Sequence, residues 1–224
     1  MFYVKNNGLC FLFQKSFGTS GVNAIGSFQL SQLNSSSVQS KLKAAGINTN
    51  SKQYKAAVKQ MMSAGNGAMY GNIQGIKNLM SHYDKDGDYI NPVNGLAGLL
   101  VTDENESSRK RIISIPDSSK EEMYELTKKE FLRENGVCNG DTTKRTDVYN
   151  NLYRKMSKKD RLAAGYTLEK YERIYRQAFY DAAKKADPNW EIGKPIKAGA
   201  LDDVTRESAE TGKSPAQATL DTKI

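Results

Sequence analysis

Apolar residues recur at helical spacing in several stretches of the chain, most regularly in its C-terminal half. Leu168, Tyr175 and Phe179 mark one face of the longest stretch, because residues three, four or seven positions apart lie on the same side of a helix. Thr167 can cap this helix at its start, and Pro188 ends it because proline cannot continue a helix. The pattern predicts a long amphipathic helix between these two residues.

Two further helix patterns and one strand pattern precede it. Ser119 and Glu122 have the spacing of a capping box, at the start of a helix that ends at Gly136. Arg111–Ile115 is rich in β-branched residues and stops at Pro116, which makes it the best strand candidate. The helix between Gly136 and the long helix carries Val148, Tyr149, Leu152, Tyr153 and Met156.

The N-terminal third predicts three short helices. Ser35 or Ser36 can cap the first, which Gly46 ends, and Thr49 or Asn50 can cap the second. The third carries Ile73, Ile76, Leu79, Met80 and Tyr83. Each apolar stripe is too narrow to be stable alone, so we expect these helices to pack together.

Neither end of the chain shows a sustained period. We expect residues 1–34 to be irregular, with one short apolar strand around Cys10–Phe13, and the tail to be disordered, because aromatic residues vanish after Gly193. The predicted fold is mainly α: an irregular multi-helix domain with at most a minimal β element and disordered ends. The predicted segments are a mobile polar leader (1–34), a small basic helical subdomain (35–83), an Asp-rich loop and short strand region (84–117), a helical core (118–192) and a disordered tail (193–224).

Composition excludes a membrane-spanning protein. Hydrophobic residues make up 38% of the chain and the mean hydropathy is −0.65, and no run approaches the roughly 18 apolar residues that a spanning helix needs. The apolar stretch Gly8–Phe13 is too short for the core of a signal peptide. We therefore expect no membrane insertion, and a location in the cytoplasm or export by a specialised non-Sec route.

Charge is distributed unevenly along the chain. Residues 1–83 carry eight lysines, no arginine and no acidic residue, so the whole formal net charge of +8 lies in this segment. The remainder has 25 basic and 25 acidic residues. An acid-free, lysine-containing third can serve as a polyanion-binding surface, as a leader read by an export apparatus, or simply as a solvated polar face.

Asp84, Asp86 and Asp88 form the most specific pattern in the sequence. Carboxylates at alternate positions of a tight loop can converge on one cation, as in the first five positions of an EF-hand loop. The pattern then departs from that motif, because Tyr89 replaces the required glycine and Gly95 replaces the final bidentate glutamate. We predict a weak calcium site at these three aspartates, which Asn91, Asp103 or Glu104 could complete; a plain Asp/Gly surface turn is the alternative.

Residue types for common catalysis are scarce. His82 is the only histidine, and its place at the end of a predicted helix is ordinary for that residue. The two cysteines, Cys10 and Cys138, lie far apart in the sequence, so we expect free thiols. The sequence therefore assigns no catalytic residue and no cofactor-binding residue, and no cofactor other than a weakly held calcium ion.

Three segments carry a resemblance to a known family. Lys43–Tyr54, Tyr83–Pro92 and Lys129–Gly136 resemble segments of an uncharacterised domain-of-unknown-function family of anaerobic gut Firmicutes. The resemblance spans most of residues 35–195. That family has no assigned activity or functional residues, so the resemblance implies only a bacterial accessory protein.

These observations rank three hypotheses of function. The first is a non-enzymatic helical interaction or structural module, with another protein as its partner. The second is a polyanion or nucleic-acid binder that uses the acid-free N-terminal third. The third is a hydrolase that works through carboxylates alone, since acidic pairs are plentiful and sequence spacing does not show which of them converge.

Overall fold

The protein is mainly helical, and its computed structural model describes residues 27–64, 70–138 and 142–212. The chain divides into two compact units, Met1–Thr102 and Asp103–Ile224. The described residues form eight α-helices and one pair of two-residue strands. The predicted mainly α fold with a minimal β element is therefore confirmed. Within the same residues, no helix is both long and apolar enough to cross a membrane.

The first unit packs three helices and a short strand pair around one apolar core. Its elements are β1 (Phe28–Gln29), α1 (Ser36–Ala44), α2 (Lys52–Ala64), β2 (Tyr70–Gly71) and α3 (Ile73–Met80). The two strands pair antiparallel, with Phe28 opposite Gly71. Each helix contributes a narrow stripe to the core, and their largest buried side chains are Leu42, Tyr54, Met61, Ile76 and Leu79.

The helix boundaries in this unit agree closely with the sequence patterns. Ser35 caps α1 by accepting a hydrogen bond from the backbone N–H of Val38 at 3.3 Å. Gly46 follows the helix with a φ of 79°, a conformation that glycine adopts without strain. The cap of α2 is Ser51, whose hydroxyl accepts from the N–H of Tyr54 at 3.1 Å. The predicted caps Thr49 and Asn50 are therefore one or two residues too early.

Part of the predicted leader belongs to the first unit. Phe28, Leu30 and Leu33 are only 3–5% exposed and lie in the core with α1 and α2. Residues 27–34 are therefore folded, because they bury apolar side chains that the sequence pattern did not connect to a helix. The predicted strand around Cys10–Phe13 lies outside the described residues, as does the rest of residues 1–26.

The second unit is built on one long helix. Its elements are α4 (Glu106–Arg109), α5 (Asp117–Arg133), α6 (Thr142–Lys155), α7 (Arg161–Ala186) and α8 (Arg206–Thr211). Helix α7 packs against both α5 and α6. Tyr175 and Phe179 on α7 are fully buried and contact Tyr124 and Phe131 on α5, with ring centroids 5.4–5.7 Å apart. The predicted apolar face of α7 is therefore its buried face.

Two predicted helix starts in this unit are wrong, and both errors involve hydroxyl side chains. Helix α5 begins at Asp117 after Pro116, without a capping box, and Ser119 is fully buried in its first turn. Helix α7 begins at Arg161, so Thr167 lies inside it. Both hydroxyls lie on buried faces, where packing rather than capping decides their place.

The segment Arg111–Ile115, predicted as a strand, is bonded to helix α7 through Thr167 instead. The Thr167 hydroxyl accepts a hydrogen bond from the backbone N–H of Ile113 at 3.1 Å and donates one to the carbonyl of Ala163 at 2.8 Å. The segment is neither helix nor strand, and it has no partner strand among the described residues. A helix side chain thus replaces one bond that a neighbouring strand would supply.

Trp190 fixes the chain that follows α7. Helix α7 ends at Ala186, close to the predicted stop before Pro188. Trp190 is 2% exposed and packs directly over Gly136, where a Cβ atom would lie 2.9 Å from the indole ring. Gly136 also has a φ of 81°. The glycine that ends α5 is therefore required twice, for its backbone conformation and for the close approach of the tryptophan.

Residues 193–212 are folded against the helices, contrary to the predicted tail. Leu201 is 2% exposed in the core of the second unit. The Tyr124 hydroxyl donates to the carbonyl of Val204, and Thr205 caps α8. The absence of aromatic residues was misleading because aliphatic packing and polar contacts with the helices order this segment, such as the bond from the Tyr175 hydroxyl to Glu210. Residues 213–224 lie outside the described residues.

Gly165→Ala tests the close contact between α6 and α7. The new Cβ would lie 2.5 Å from the Tyr153 hydroxyl oxygen, so we expect a loss of about 1–3 kcal/mol in unfolding free energy. Urea unfolding followed by the fluorescence of Trp190, the single tryptophan, measures it. The loss should be smaller in a Tyr153→Phe background. The control is Gly75→Ala in α3, whose Cβ would meet its nearest atom at 3.4 Å. Because Gly75 lies in the first unit and Trp190 in the second, the urea midpoint of this control is followed by circular dichroism and should not fall.

Leu201→Ala tests whether the segment after α7 is folded in solution. Truncating a fully buried leucine should cost about 2–4 kcal/mol in the same urea experiment. The control is Leu132→Ala, because Leu132 is 45% exposed and should cost less than about 1 kcal/mol. Equal effects of the two substitutions would contradict the described packing of residues 193–212.

Candidate functional site

The Asp84–Asp88 loop is held by its first aspartate. The Asp84 Oδ1 atom accepts hydrogen bonds from the backbone N–H groups of Asp86 and Asp88, each at 2.9 Å. The N–H of Asp84 donates to the carbonyl of Asp88, and that of Gly87 to the carbonyl of Asp84, also at 2.9 Å. Gly87 has a φ of 84°. The loop is thus a closed turn, for which aspartate and glycine are suited.

Helix α2 sets the position of this loop. The Gln53 side-chain amide donates to the carbonyls of Met80 and Tyr83 at 2.9 and 2.8 Å, at the end of α3. Gly87 lies against the backbone of Lys52, since a Cβ atom on it would approach the Lys52 carbonyl oxygen to 3.0 Å. The first turn of α2 therefore contacts two parts of this segment, the chain just before the loop and the middle of the loop.

Two tyrosines anchor the ends of the loop in the core. Tyr83 and Tyr89 are paired by an antiparallel bridge, and their rings meet edge to face at a centroid distance of 5.9 Å. Tyr83 is 7% exposed, and burial raises the pKa of its hydroxyl. Tyr89 occupies the position of the EF-hand glycine. Here it packs against Tyr83 instead of allowing a sharp turn.

The three aspartates come together in a way that could bind a metal ion. One carboxylate oxygen from each of Asp84, Asp86 and Asp88 lies within 4.8 Å of the others. Asp84 is half-buried and the other two are exposed. The Asn91 side-chain oxygen accepts a hydrogen bond from the N–H of Val93 and so belongs to its own turn. Asp103 and Glu104 belong to the second unit.

The other two chemically active side chains are less suited to a site. His82 is exposed at the end of α3. Cys138 is half-buried, and burial raises the pKa of its thiol. A raised pKa lowers the thiolate fraction, and the thiolate is the nucleophile. Cys10 lies outside the described residues.

Sequence reasoning missed a buried charge cluster between α5, α6 and α7. Arg145 contacts Glu130, which is 1% exposed, and approaches Glu172 at 3.4 Å. Arg176 contacts Glu172 at 2.8 Å. Burial raises the pKa of the Glu130 carboxyl, although Arg145 beside it acts in the opposite direction. One sequence signal could have indicated this cluster: both glutamates fall on the apolar face of their helix, as in Leu168–Glu172–Tyr175 on α7.

The chain belongs to the family described as domain of unknown function DUF3879, which matches residues 47–224. This confirms the predicted membership of a domain-of-unknown-function family, while an origin in gut Firmicutes stays a prediction. No curated protein and no solved structure matches the chain.

Asp84→Ala tests whether this aspartate holds the loop. The substitution removes the acceptor of two backbone N–H groups, so we expect a loss of about 1–2 kcal/mol in unfolding free energy without added metal. Thermal and urea unfolding followed by circular dichroism measure it. Asp86→Ala is the matched control, since the two loop N–H groups bond Asp84 Oδ1; an equal loss in both variants would refute the anchoring role of Asp84.

Proposed function

We propose that this protein is a non-enzymatic helical interaction module, whose Asp84–Asp88 loop holds a calcium ion weakly. The observation that carries the proposal is the group of three carboxylate oxygens within 4.8 Å of one another. Hard divalent cations bind several oxygen ligands at short range, and calcium tolerates irregular geometry. A loop that is already closed around Asp84 needs little reordering to bind such an ion.

The ligand set limits the affinity. No glutamate completes the loop, because Gly95 occupies the position of the bidentate ligand. One oxygen of Asp84 is also engaged by two backbone N–H groups. We therefore expect a Kd of about 10⁻⁴–10⁻³ M, as in extracellular calcium modules. An ion held this weakly would steady the first unit rather than act as a sensor of micromolar calcium.

A non-catalytic role is supported by the way the buried carboxylates are used. Carboxylate chemistry needs one acid or base that can reach a substrate. Glu130 and Glu172 are instead engaged by Arg145 and Arg176 between three helices. Such a cluster fixes the way helices pack more readily than it exchanges protons with a bound molecule.

A protein partner is supported by exposed apolar side chains in the second unit. Val137 and Ile192 are 44% and 57% exposed. The backbone N–H of Gly193 donates to the carbonyl of Asn135 at 2.8 Å, which brings the two apolar residues to the same end of the unit. Aliphatic side chains exposed together favour contact with another protein over contact with a polar small molecule.

Calcium should raise the melting temperature of the full chain if the aspartates bind it. At about 10 mM calcium and a Kd of about 1 mM, binding stabilises the folded state by about 1.4 kcal/mol. Thermal melts at increasing calcium chloride, at constant ionic strength, measure the shift. Magnesium should have a smaller effect, because it demands stricter octahedral geometry.

The matched variant is Asp86→Asn with Asp88→Asn, which keeps Asp84 and so keeps the turn. It should lose the calcium response and melt at the same or a higher temperature without calcium, since like charges are removed. Wild-type protein whose melting temperature is indifferent to about 10 mM calcium would overturn the calcium part of the proposal. An equal response in the variant would place the ion elsewhere.

A further inference from the structure

The solvent face of α2 is basic. Lys52, Lys55 and Lys59 are all exposed, and residues spaced by three and four lie within about 60° of the helix circumference. They span about 10 Å along the helix axis. The sequence pattern showed a surplus of lysine in this third of the chain, whereas the helix brings three of these lysines to one side.

These three ammonium groups form no salt bridge with the described carboxylates. Among the residues that the structure describes, no carboxylate lies within ion-pair distance of Lys52, Lys55 or Lys59. Some lysines of the second unit do form ion pairs: Lys120 pairs with Asp117 at 3.1 Å and Lys155 with Glu122 at 3.4 Å. Within the described part of the chain, the charge of the α2 face is therefore not neutralised by a salt bridge, although the Asp84–Asp88 loop lies beside Lys52.

The opposite face of α2 is not available for insertion into a lipid bilayer. Tyr54, Ala57 and Met61 are 1–6% exposed and belong to the core of the first unit. A basic amphipathic helix binds a bilayer by burying its apolar face in the lipid. In α2 that face is already buried, so the lysines can attract a polyanion only at the surface.

We propose that the lysine face of α2 binds the phosphate backbone of duplex nucleic acid. Phosphates follow one another at about 3.4 Å along each strand, so three lysines over about 10 Å can meet about three phosphates. Single strands are held by bases stacked on aromatic side chains. The aromatic residue of α2, Tyr54, points into the core. Binding is therefore electrostatic and independent of base sequence.

The aspartate loop borders this face at its N-terminal end. Gly87 lies against Lys52, so the acidic loop sits beside the first lysine of the row. Its negative charge lowers the potential at that end and weakens phosphate binding. The proposal goes beyond the calcium site, because removing these carboxylates by substitution should strengthen binding with no metal present.

Fluorescence anisotropy of the full chain with a labelled 20-base-pair duplex of arbitrary sequence tests the proposal, in EDTA at several salt concentrations. We expect a Kd of about 10⁻⁶–10⁻⁴ M at low salt and a slope of log K against log salt of about −2 to −3. The variant Lys52→Gln, Lys55→Gln, Lys59→Gln should bind at least tenfold more weakly, with a slope near zero. Gln keeps a high helix propensity, and circular dichroism checks the fold.

The matched control carries Lys129→Gln, Lys170→Gln and Lys185→Gln, three exposed lysines of the second unit. It has the same net charge as the α2 variant and should bind within about twofold of wild type. Asp86→Asn with Asp88→Asn should bind several-fold more tightly.

Equal losses in the two lysine variants, or no binding by wild type at about 20 mM salt, would overturn the proposal. Tighter binding to polyglutamate or to anionic vesicles than to the duplex would overturn the choice of partner.

Discussion

The aromatic face of α7 is the contact on which the second unit depends. Tyr175 and Phe179 pack next to α5, where the Tyr124 ring meets Tyr175 edge to face and the rings of Tyr124 and Phe131 meet Phe179 at tilted angles. Trp190 extends this row past the end of the helix. A chain with few aliphatic residues can close its core in this way because each aromatic ring buries a large area. The segment after α7 then covers the row.

Closing that core leaves charges inside it. Glu130 is fully buried, and an unpaired carboxylate there would be very costly, so Arg145 must reach it from α6. Arg145 also approaches Glu172 on α7, so one guanidinium ties three helices together. Apolar side chains in place of this cluster could be as stable, but they would also allow the three helices to pack in other alignments. We regard this cluster as a device that specifies one packing of three helices, at some cost in stability.

The first unit places opposite charges side by side. Gln53 and the backbone of Lys52 hold the acidic loop at the start of α2, while the lysines of the same helix face solvent. The two groups of charges affect each other. The lysines weaken cation binding at the aspartate loop, and the aspartates weaken anion binding at the lysines. The proposed calcium site and the proposed nucleic-acid face would therefore be coupled electrostatically, although they are proposed on different observations.

The sequence by itself determined the helical class, most helix ends and the aspartate turn, because these depend on residues close together in the chain. Gly46 and Gly136 end helices through their own backbone conformation. Tertiary structure decided what depends on distant partners. Thr167 lies inside α7, fully buried, and bonds the distant backbone N–H of Ile113. Leu201 orders the C-terminal segment because a core made by other helices receives it. The sequence did not predict the buried ion cluster or the lysine face for the same reason. Spacing along a chain does not show which charges the fold brings together or keeps apart.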